Sequence, residues 1–206
     1  PNPGYLEGKE HMVKAMFFTH GHMDHVGALP FVLDKIGNPD FYAAPLTKAL
    51  LMKRLEEFKD RKPVDIMVIN PGEEIKISDK LTVKVLRINH SIPDDLEIIV
   101  KTPIGNIVHT SDFKFDDTPV NDKPADVEEM ERMSREEGVL VLMSDSTGAE
   151  KEGHSLSEQD VTRNLDKIIS EATGMLILGT FASLINRIQQ IITISEKYGK
   201  KVVFDG

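Results

Sequence analysis

The sequence predicts an α+β protein that changes to regular α/β alternation in its last third. Between residues 13 and 111, short apolar runs alternate with turn signals such as Pro71-Gly72 and Pro93-Asp94, which is typical of a sheet-rich structure. After Pro124, helical and strand patterns follow one another in turn. With 206 residues, of which 40% are hydrophobic and 29% charged, the chain is long and apolar enough to bury a core.

The sheet-rich part begins with an apolar strand over residues 13–19. A helix starts near Asp24 and runs to residue 36. A second helix is predicted over 45–58, because Pro45 suits a helix start and apolar residues follow near helical spacing. The other strands of this part are predicted over 41–43, 65–70, 81–89, 96–101 and 106–111.

The alternating part contains three helices and three strands. Helices are predicted over 126–137, 158–173 and 183–198, and strands over 139–144, 175–180 and 201–205. This alternation is typical of parallel βαβ units. The acidic helix 126–137 is expected to face water, with its own arginines offsetting its carboxylates. The glycine-bounded stretch 148–153 separates the two patterns, so we predict one domain over 1–149 and the start of another over 150–206.

Composition excludes several classes of protein. No run approaches the ~18 apolar residues of a membrane span, so we expect a cytoplasmic protein without a membrane partner. The absence of Cys excludes disulfides, thiolate metal sites and a cysteine nucleophile. The net charge of −9 does not favour a polyanionic partner. Residues 1–6 lack the features of a signal peptide and the last residues resemble a strand that stops at a loop, so we expect a fragment lacking both ends.

The segment 19–25, Thr-His-Gly-His-Met-Asp-His, contains three imidazoles and a carboxylate directly after an apolar strand. Histidine and carboxylate are suitable ligands for borderline dications such as zinc. His20 and His22 can point the same way from an extended loop, whereas Asp24 and His25 diverge at a helix start. The alternative is a polar turn that caps a helix through Asp24, but a cap uses only one of these residues.

Two further ligand candidates, His90 and Asp112, each follow an apolar strand, where a side chain can project from the sheet edge. With the segment 19–25 they suit a two-metal site, with ions about 3.5 to 4 Å apart that activate a hydroxide for attack on a phosphoryl or acyl centre. The sequence therefore predicts a hydrolytic metal centre.

The segment 19–25 resembles the signature of metallo-β-lactamase-fold hydrolases. An ordered series of further motifs is similar to the ribonuclease J family of the β-CASP branch. These motifs are Gly27-Ala28-Leu29-Pro30, Asn89-His90-Ser91-Ile92-Pro93-Asp94, His109-Thr110-Ser111-Asp112-Phe113-Lys114-Phe115-Asp116, Ser144-Asp145-Ser146-Thr147, Thr180-Phe181-Ala182-Ser183 and Arg187-Ile188-Gln189-Gln190.

The resemblance implies a metallo-β-lactamase αββα sandwich, followed near residue 150 by the first part of an α/β β-CASP domain. It implies a zinc-dependent ribonuclease, 5′-to-3′ exonucleolytic with some endonucleolytic activity, an RNA partner and a homodimer in the complete protein. Two zinc ions are implied, and these ligand types also accept Mn²⁺. By resemblance, His20, His22 and His90 hold one ion, Asp24 and His25 hold the second, Asp112 bridges them, and Asp145 lies near the leaving group as a catalytic residue with Asp24 and Asp112.

The family also carries a motif Asp that would precede Pro1 and histidines that would follow Gly206. We therefore expect residues 1–206 alone to bind metal weakly and cleave poorly. Two alternatives remain open: another hydrolase of this fold acting on small esters or lactams, and a noncatalytic RNA-binding subunit. The candidates for a local basic path for RNA are Lys114, Arg163, Arg187, Lys200 and Lys201, although the pattern favours a solvated surface charge at each of them.

Overall fold

The computed structural model describes residues 2–205, so the outermost residue of each predicted domain lies outside the description. The first of its two sheets has three parallel strands in the order β1 (Ala15–Phe18), β2 (Asp40–Ala43) and β3 (Ile66–Val68). The second has five strands in chain order: β4 (Glu74–Lys76), β5 (Thr82–Arg87), β6 (Leu96–Thr102), β7 (Gly105–His109) and β8 (Val139–Met143). All neighbours in the second sheet are antiparallel except β7 and β8, which are parallel.

Six α-helices accompany the sheets in the described part of the chain: α1 (Met23–Val26), α2 (Leu29–Val32), α3 (Pro45–Leu55), α4 (Val127–Glu136), α5 (Glu158–Glu171) and α6 (Ile185–Lys197). Short 3-10 turns lie at Gly4–Leu6, Glu10–Met12 and Leu33–Lys35. Within residues 2–205 no helix has both the length and the apolar character that crossing a bilayer requires.

Three hydrophobic cores join these elements into α, β, β and α layers. Successive side chains of β1 point to opposite sides of the first sheet, so Phe18 packs under the helices α1 to α3 and Phe17 packs between the sheets. There the Phe17 ring stacks on Tyr42 with a centroid distance of 4.7 Å. Burial on both faces explains why β1 is a continuous apolar run. The predicted α/β architecture with two sheets is confirmed.

The predicted water-facing helix, α4, exposes its charged face as expected but also buries a narrow apolar face. Met133 is only 2% exposed and packs with Met130 against Ile99 and Val108 of the second sheet. The two methionines are three residues apart and therefore share a face of the helix. On the other face Arg132 pairs with acidic residues of its own helix, as expected.

The helix predicted from Asp24 to residue 36 is interrupted. The chain forms α1 and α2 and then a 3-10 turn at Leu33–Lys35, because Gly27 ends the first helix and Pro30 has no N–H with which to continue the ladder. Strand β4 was not predicted, since Ile75 is its only apolar residue. The remaining elements before residue 150 agree with prediction to within a few residues.

The parallel βαβ arrangement predicted for the last part is not found in the described residues. Residues 175–180 and 201–205 form no strands, and the strand β8 pairs with β7 of the second sheet instead. A strand needs a neighbouring edge for its backbone groups, and nothing within 2–205 supplies one to either segment. Met175 and Val203 are accordingly 90% and 87% exposed. The start of a β-CASP domain at residue 150 stays a prediction.

Candidate metal centre

The strand order brings the predicted ligands to one edge of the molecule. Strands β5 and β7 are both antiparallel to β6 and therefore run the same way, and β8 is parallel to β7. His90, Asp112 and Asp145 follow the carboxyl ends of these three strands. The end of β1 is joined to the same edge, because the N–H of Leu96 donates to the carbonyl of Thr19 at 3.0 Å. The loop that carries His20 to His25 thus lies beside the other ligands.

A first ligand group consists of His20, His22, His90 and Asp112, whose ligand atoms all lie within 4.8 Å of one another. Nδ1 of His22 lies 3.1 Å from Nε2 of both His20 and His90. Oδ2 of Asp112 lies 3.8 Å from Nε2 of His90. His20 is fully buried, so this group forms the deep side of the centre.

A second ligand group consists of Asp24, His25 and Asp112, within the same 4.8 Å limit. Nε2 of His25 lies 3.4 Å from Oδ2 of Asp24 and 3.4 Å from Oδ2 of Asp112. The same Asp112 oxygen therefore faces both groups. The side chain of Asp24 is 79% exposed, so the second group opens to solvent.

The histidines of the first group are held in the uncharged form that a metal requires. Burial, reinforced by His25, His90 and His22, lowers the pKa of His20 to about 3. Burial also lowers the pKa of His22, outweighing the attraction of the neighbouring carboxylates. Near pH 7 these imidazoles each keep a lone pair available.

The donor set fits a borderline dication. Two nitrogens that bind one zinc ion at about 2.05 Å in tetrahedral geometry would lie about 3.3 Å apart. The corresponding nitrogens of His22 with His20 and of His22 with His90 lie 3.1 Å apart, so only small movements are needed. Carboxylate and imidazole ligands also accept manganese.

Asp145 lies near the centre but outside both ligand groups. Its Oδ1 accepts from the N–H of Thr147 at 2.8 Å, and its own N–H donates to Thr110 Oγ1 at 3.1 Å. Partial burial tends to raise the pKa of Asp145, but hydrogen bonds from Thr147 and Phe113 more than offset this and hold the pKa below its usual value. The negative charge of Asp145 acts to raise the pKa of His90, so Asp145 lies on the His90 side of the centre.

Most of the candidate cations for a basic path are engaged by other groups. Lys114 and Arg187 both pair with Glu158, at 2.7 and 3.0 Å, and Arg163 pairs with Asp160. Lys200 donates to the carbonyl of Ala172 at 2.6 Å. Three of the five cations thus pair with carboxylates and a fourth donates to a carbonyl, so these contacts do not support a basic path in the described residues.

Sequence reasoning missed the groups behind His20. Ser111 Oγ lies 3.0 Å from its Nδ1, Thr19 Oγ1 lies at 3.1 Å and Asp95 Oδ2 at 3.5 Å. Ser111 and Thr19 adjoin quoted motifs, but their roles depend on side-chain direction. The one sequence signal for these groups is Asp95, a second carboxylate directly after Pro93-Asp94 between two apolar strands. The structure buries this residue.

The metallo-beta-lactamase superfamily model matches residues 3–179. Ribonuclease J of Thermus thermophilus is 41% identical over 100% of this chain and 37% of its own length, and ribonuclease J2 of Bacillus subtilis is 36% identical with the same coverage. Ribonuclease J 1 of Streptococcus pyogenes is 41% identical over 36% of its length. The chain spans about a third of the length of these curated relatives.

A solved structure shares the fold. The crystal structure of a protein of unknown function from Enterococcus faecalis V583 covers 93% of this chain and 52% of its own, with a TM-score of 0.62 and 16% sequence identity. At that identity the likeness concerns the fold alone. Together with the family match and the relatives, it leads to one assignment: the chain belongs to the metallo-β-lactamase superfamily and is a homologue of ribonuclease J over its whole length.

Proposed function

We propose that this chain carries the metal-dependent catalytic centre of a ribonuclease that hydrolyses RNA phosphodiester bonds. The supporting observation is the pair of ligand groups that share Asp112, in a chain homologous throughout to ribonuclease J. The proposal includes 5′-to-3′ exonuclease action with some endonuclease action, zinc as the metal with manganese as a substitute, and RNA as the partner.

In this proposal His20, His22 and His90 hold one dication, Asp24 and His25 hold a second, and Asp112 serves both. The bound ions would supply a water of lowered pKa and offset negative charge on the phosphate oxygens. The protein's own contribution is to present neutral imidazoles on the buried side and carboxylates on the open side. Because Asp24 is 79% exposed, a phosphate can approach from the second group.

Asp145 is proposed to act beside the centre rather than in it. Its lowered pKa keeps it ionised at neutral pH, so it suits acceptance of a proton or hydrogen bond better than donation. Its carboxylate accepts from the N–H groups of Thr147 at 2.8 Å and Phe113 at 3.5 Å, which hold it in one orientation. We expect its substitution to lower turnover without removing the metal.

The charge distribution bears on how RNA is held. The net charge is −9, and the described cations near α5 and α6 are paired with carboxylates. Phosphate binding would therefore depend on the metal centre more than on a basic surface. Removing the metal should weaken RNA binding as well as abolish cleavage.

The proposal is tested with a short 5′-monophosphorylated RNA and the zinc-loaded full-length protein that contains this chain. Asp24→Ala should abolish cleavage while leaving the circular dichroism spectrum unchanged, because its side chain is exposed. The matched control is Asp117→Ala, which removes an exposed aspartate outside both ligand groups and should cleave as the parent does. Chelation should stop cleavage and added zinc should restore it.

Other outcomes identify the alternatives. Turnover of a chromogenic lactam or small ester without RNA cleavage would support a small-substrate hydrolase of the same fold. RNA binding without turnover by the fully metal-loaded full-length protein would support a noncatalytic subunit. Equal cleavage by the parent chain and Asp24→Ala would refute the site.

A further inference from the structure

The two ring nitrogens of His20 face different surroundings. Its Nε2 lies 3.1 Å from Nδ1 of His22, inside the first ligand group. Its Nδ1 faces oxygens of Ser111 at 3.0 Å, Thr19 at 3.1 Å and Asp95 at 3.5 Å. A neutral imidazole carries a proton on only one nitrogen. The oxygens around Nδ1 therefore decide whether Nε2 is free to bind a metal.

The three oxygens are not equivalent. The hydroxyls of Ser111 and Thr19 can either donate or accept, so they tolerate both forms of the ring. An ionised carboxylate only accepts, so Asp95 would require a proton on Nδ1. A charged acceptor also makes a stronger hydrogen bond than a hydroxyl does.

The buried carboxylate of Asp95 lowers the stability of the folded chain. Its side chain is 0% exposed, and within residues 2–205 neither carboxylate oxygen has a hydrogen-bond partner of full geometry. Burying an uncompensated carboxylate costs several kcal/mol. The ring of His20 and the hydroxyl of Ser111 are the polar side chains that face it. Burial raises the pKa of Asp95 to about 8, and a cation bound through His20 would favour the ionised carboxylate.

The backbone at Ser111 supports the same interpretation. Its φ is 62°, in the left-handed region that a residue other than Gly adopts at some cost. This conformation places the Ser111 hydroxyl, which is 2% exposed as a residue, against Nδ1 of His20. Both neighbours of Nδ1 that come from distant parts of the chain are thus held at a cost to stability.

We infer that Asp95 is a positioning residue for the metal centre: its ionised carboxylate, with Oδ2 3.5 Å from Nδ1 of His20, favours a proton on Nδ1 and so leaves Nε2 to bind the metal. Carboxylate partners of this kind orient histidine ligands and raise their basicity. The inference rests on the proposed function, because it requires that the first ligand group binds a metal.

The first test measures zinc affinity, by competition with a chromogenic chelator, for the chain and for Asp95→Asn. The variant keeps the size and an oxygen acceptor but loses the charge, and its affinity should fall about 10- to 100-fold. The matched control is Glu97→Gln, which neutralises a second buried carboxylate two residues further along, on β6, and should leave zinc affinity unchanged.

The second test reads the histidine ring directly. Nitrogen-15 NMR of the zinc-loaded chain should show His20 protonated on Nδ1, with a downfield proton that moves upfield in Asp95→Asn. Loss of packing alone would not produce this change at one ring nitrogen. If Asp95→Asn fails to fold, the parent spectrum decides: a His20 protonated on Nε2 overturns the inference.

The outcomes separate the two proposals. If the parent chain binds zinc and Asp95→Asn binds it equally well with an unchanged His20 spectrum, Asp95 has no positioning role and the proposed function stands. If the parent chain binds no zinc, the proposed function fails and this inference fails with it.

Discussion

Glu97 provides a test of the burial argument that is independent of metal. It lies on β6, is only 5% exposed, and its Oε2 has no hydrogen-bond partner within residues 2–205. It points to the same face of β6 as Ile99, which belongs to the core under α4. Burial raises the pKa of Glu97 from 4.5 to about 7. Each pKa unit is worth about 1.4 kcal/mol, so the full effect is about 3 kcal/mol.

The direction of the effect is set by the unfolded chain. There Glu97 ionises above a pKa of 4.5, whereas in the folded protein it keeps its proton until about pH 7. The unfolded state therefore binds fewer protons in this window, and the free energy of unfolding falls as the pH rises from 4.5 to 7. For a chain of this length a loss of about 3 kcal/mol corresponds to roughly 7 °C in Tm.

The assay is urea unfolding, followed by circular dichroism between pH 4.5 and 8.5 with a chelator present, for the parent chain and Glu97→Gln. Because the amide never ionises, the difference between the two curves isolates Glu97. The free energy of unfolding of the variant, relative to that of the parent, should rise progressively up to pH 7. Above pH 7 the difference between the two should stay constant. A difference that stays constant across the whole range would refute the assignment of Glu97 as a buried, unpaired carboxyl.

Three further outcomes follow from the site and the core. Asp112→Ala should weaken zinc binding at both ligand groups, whereas Asp24→Ala should weaken it at the second group alone, as measured by zinc titration. The free energy of unfolding of the metal-free chain should fall as the pH drops from 6.5 towards 3, because His20 is protonated in this range in the unfolded chain but not in the folded one. In acid unfolding, His20→Gln should lack this part of the pH dependence. Leu51 is 0% exposed beneath the first sheet, so Leu51→Ala should lower the free energy of unfolding by about 2 to 5 kcal/mol, as measured by urea unfolding.

The candidate ligands could be predicted from sequence because each lies in a segment that follows a recognisable strand. His90 and Asp112 come after apolar runs of adequate length, and the segment 19–25 follows β1. The structure then brings all six predicted ligand residues into two groups that share Asp112. Local patterns were sufficient here because strand ends, once the strands pair, must meet at an edge of a sheet.

The groups behind the ligands could not be predicted in this way. Asp95 and Ser111 contribute through the direction of their side chains, which depends on the pairing of β6 with β5 and β7. The two apolar segments 175–180 and 201–205 were predicted as strands because their composition suits a sheet. Composition does not provide a neighbouring edge, and within 2–205 the chain does not provide one either. The buried face of α4 was not predicted because only Met130 and Met133 form it, in a helix composed mostly of charged residues.

The asymmetry of the centre follows from which elements carry its ligands. His20 and His90 extend from strands of two different sheets, and packing between those sheets fixes their separation. Asp24 and His25 lie on α1, which is four residues long, and Asp24 is largely exposed. The first group offers four preorganised ligands and the second offers three, one of them free to move. A centre built this way should bind a dication more firmly at the first group than at the second, which opens to solvent.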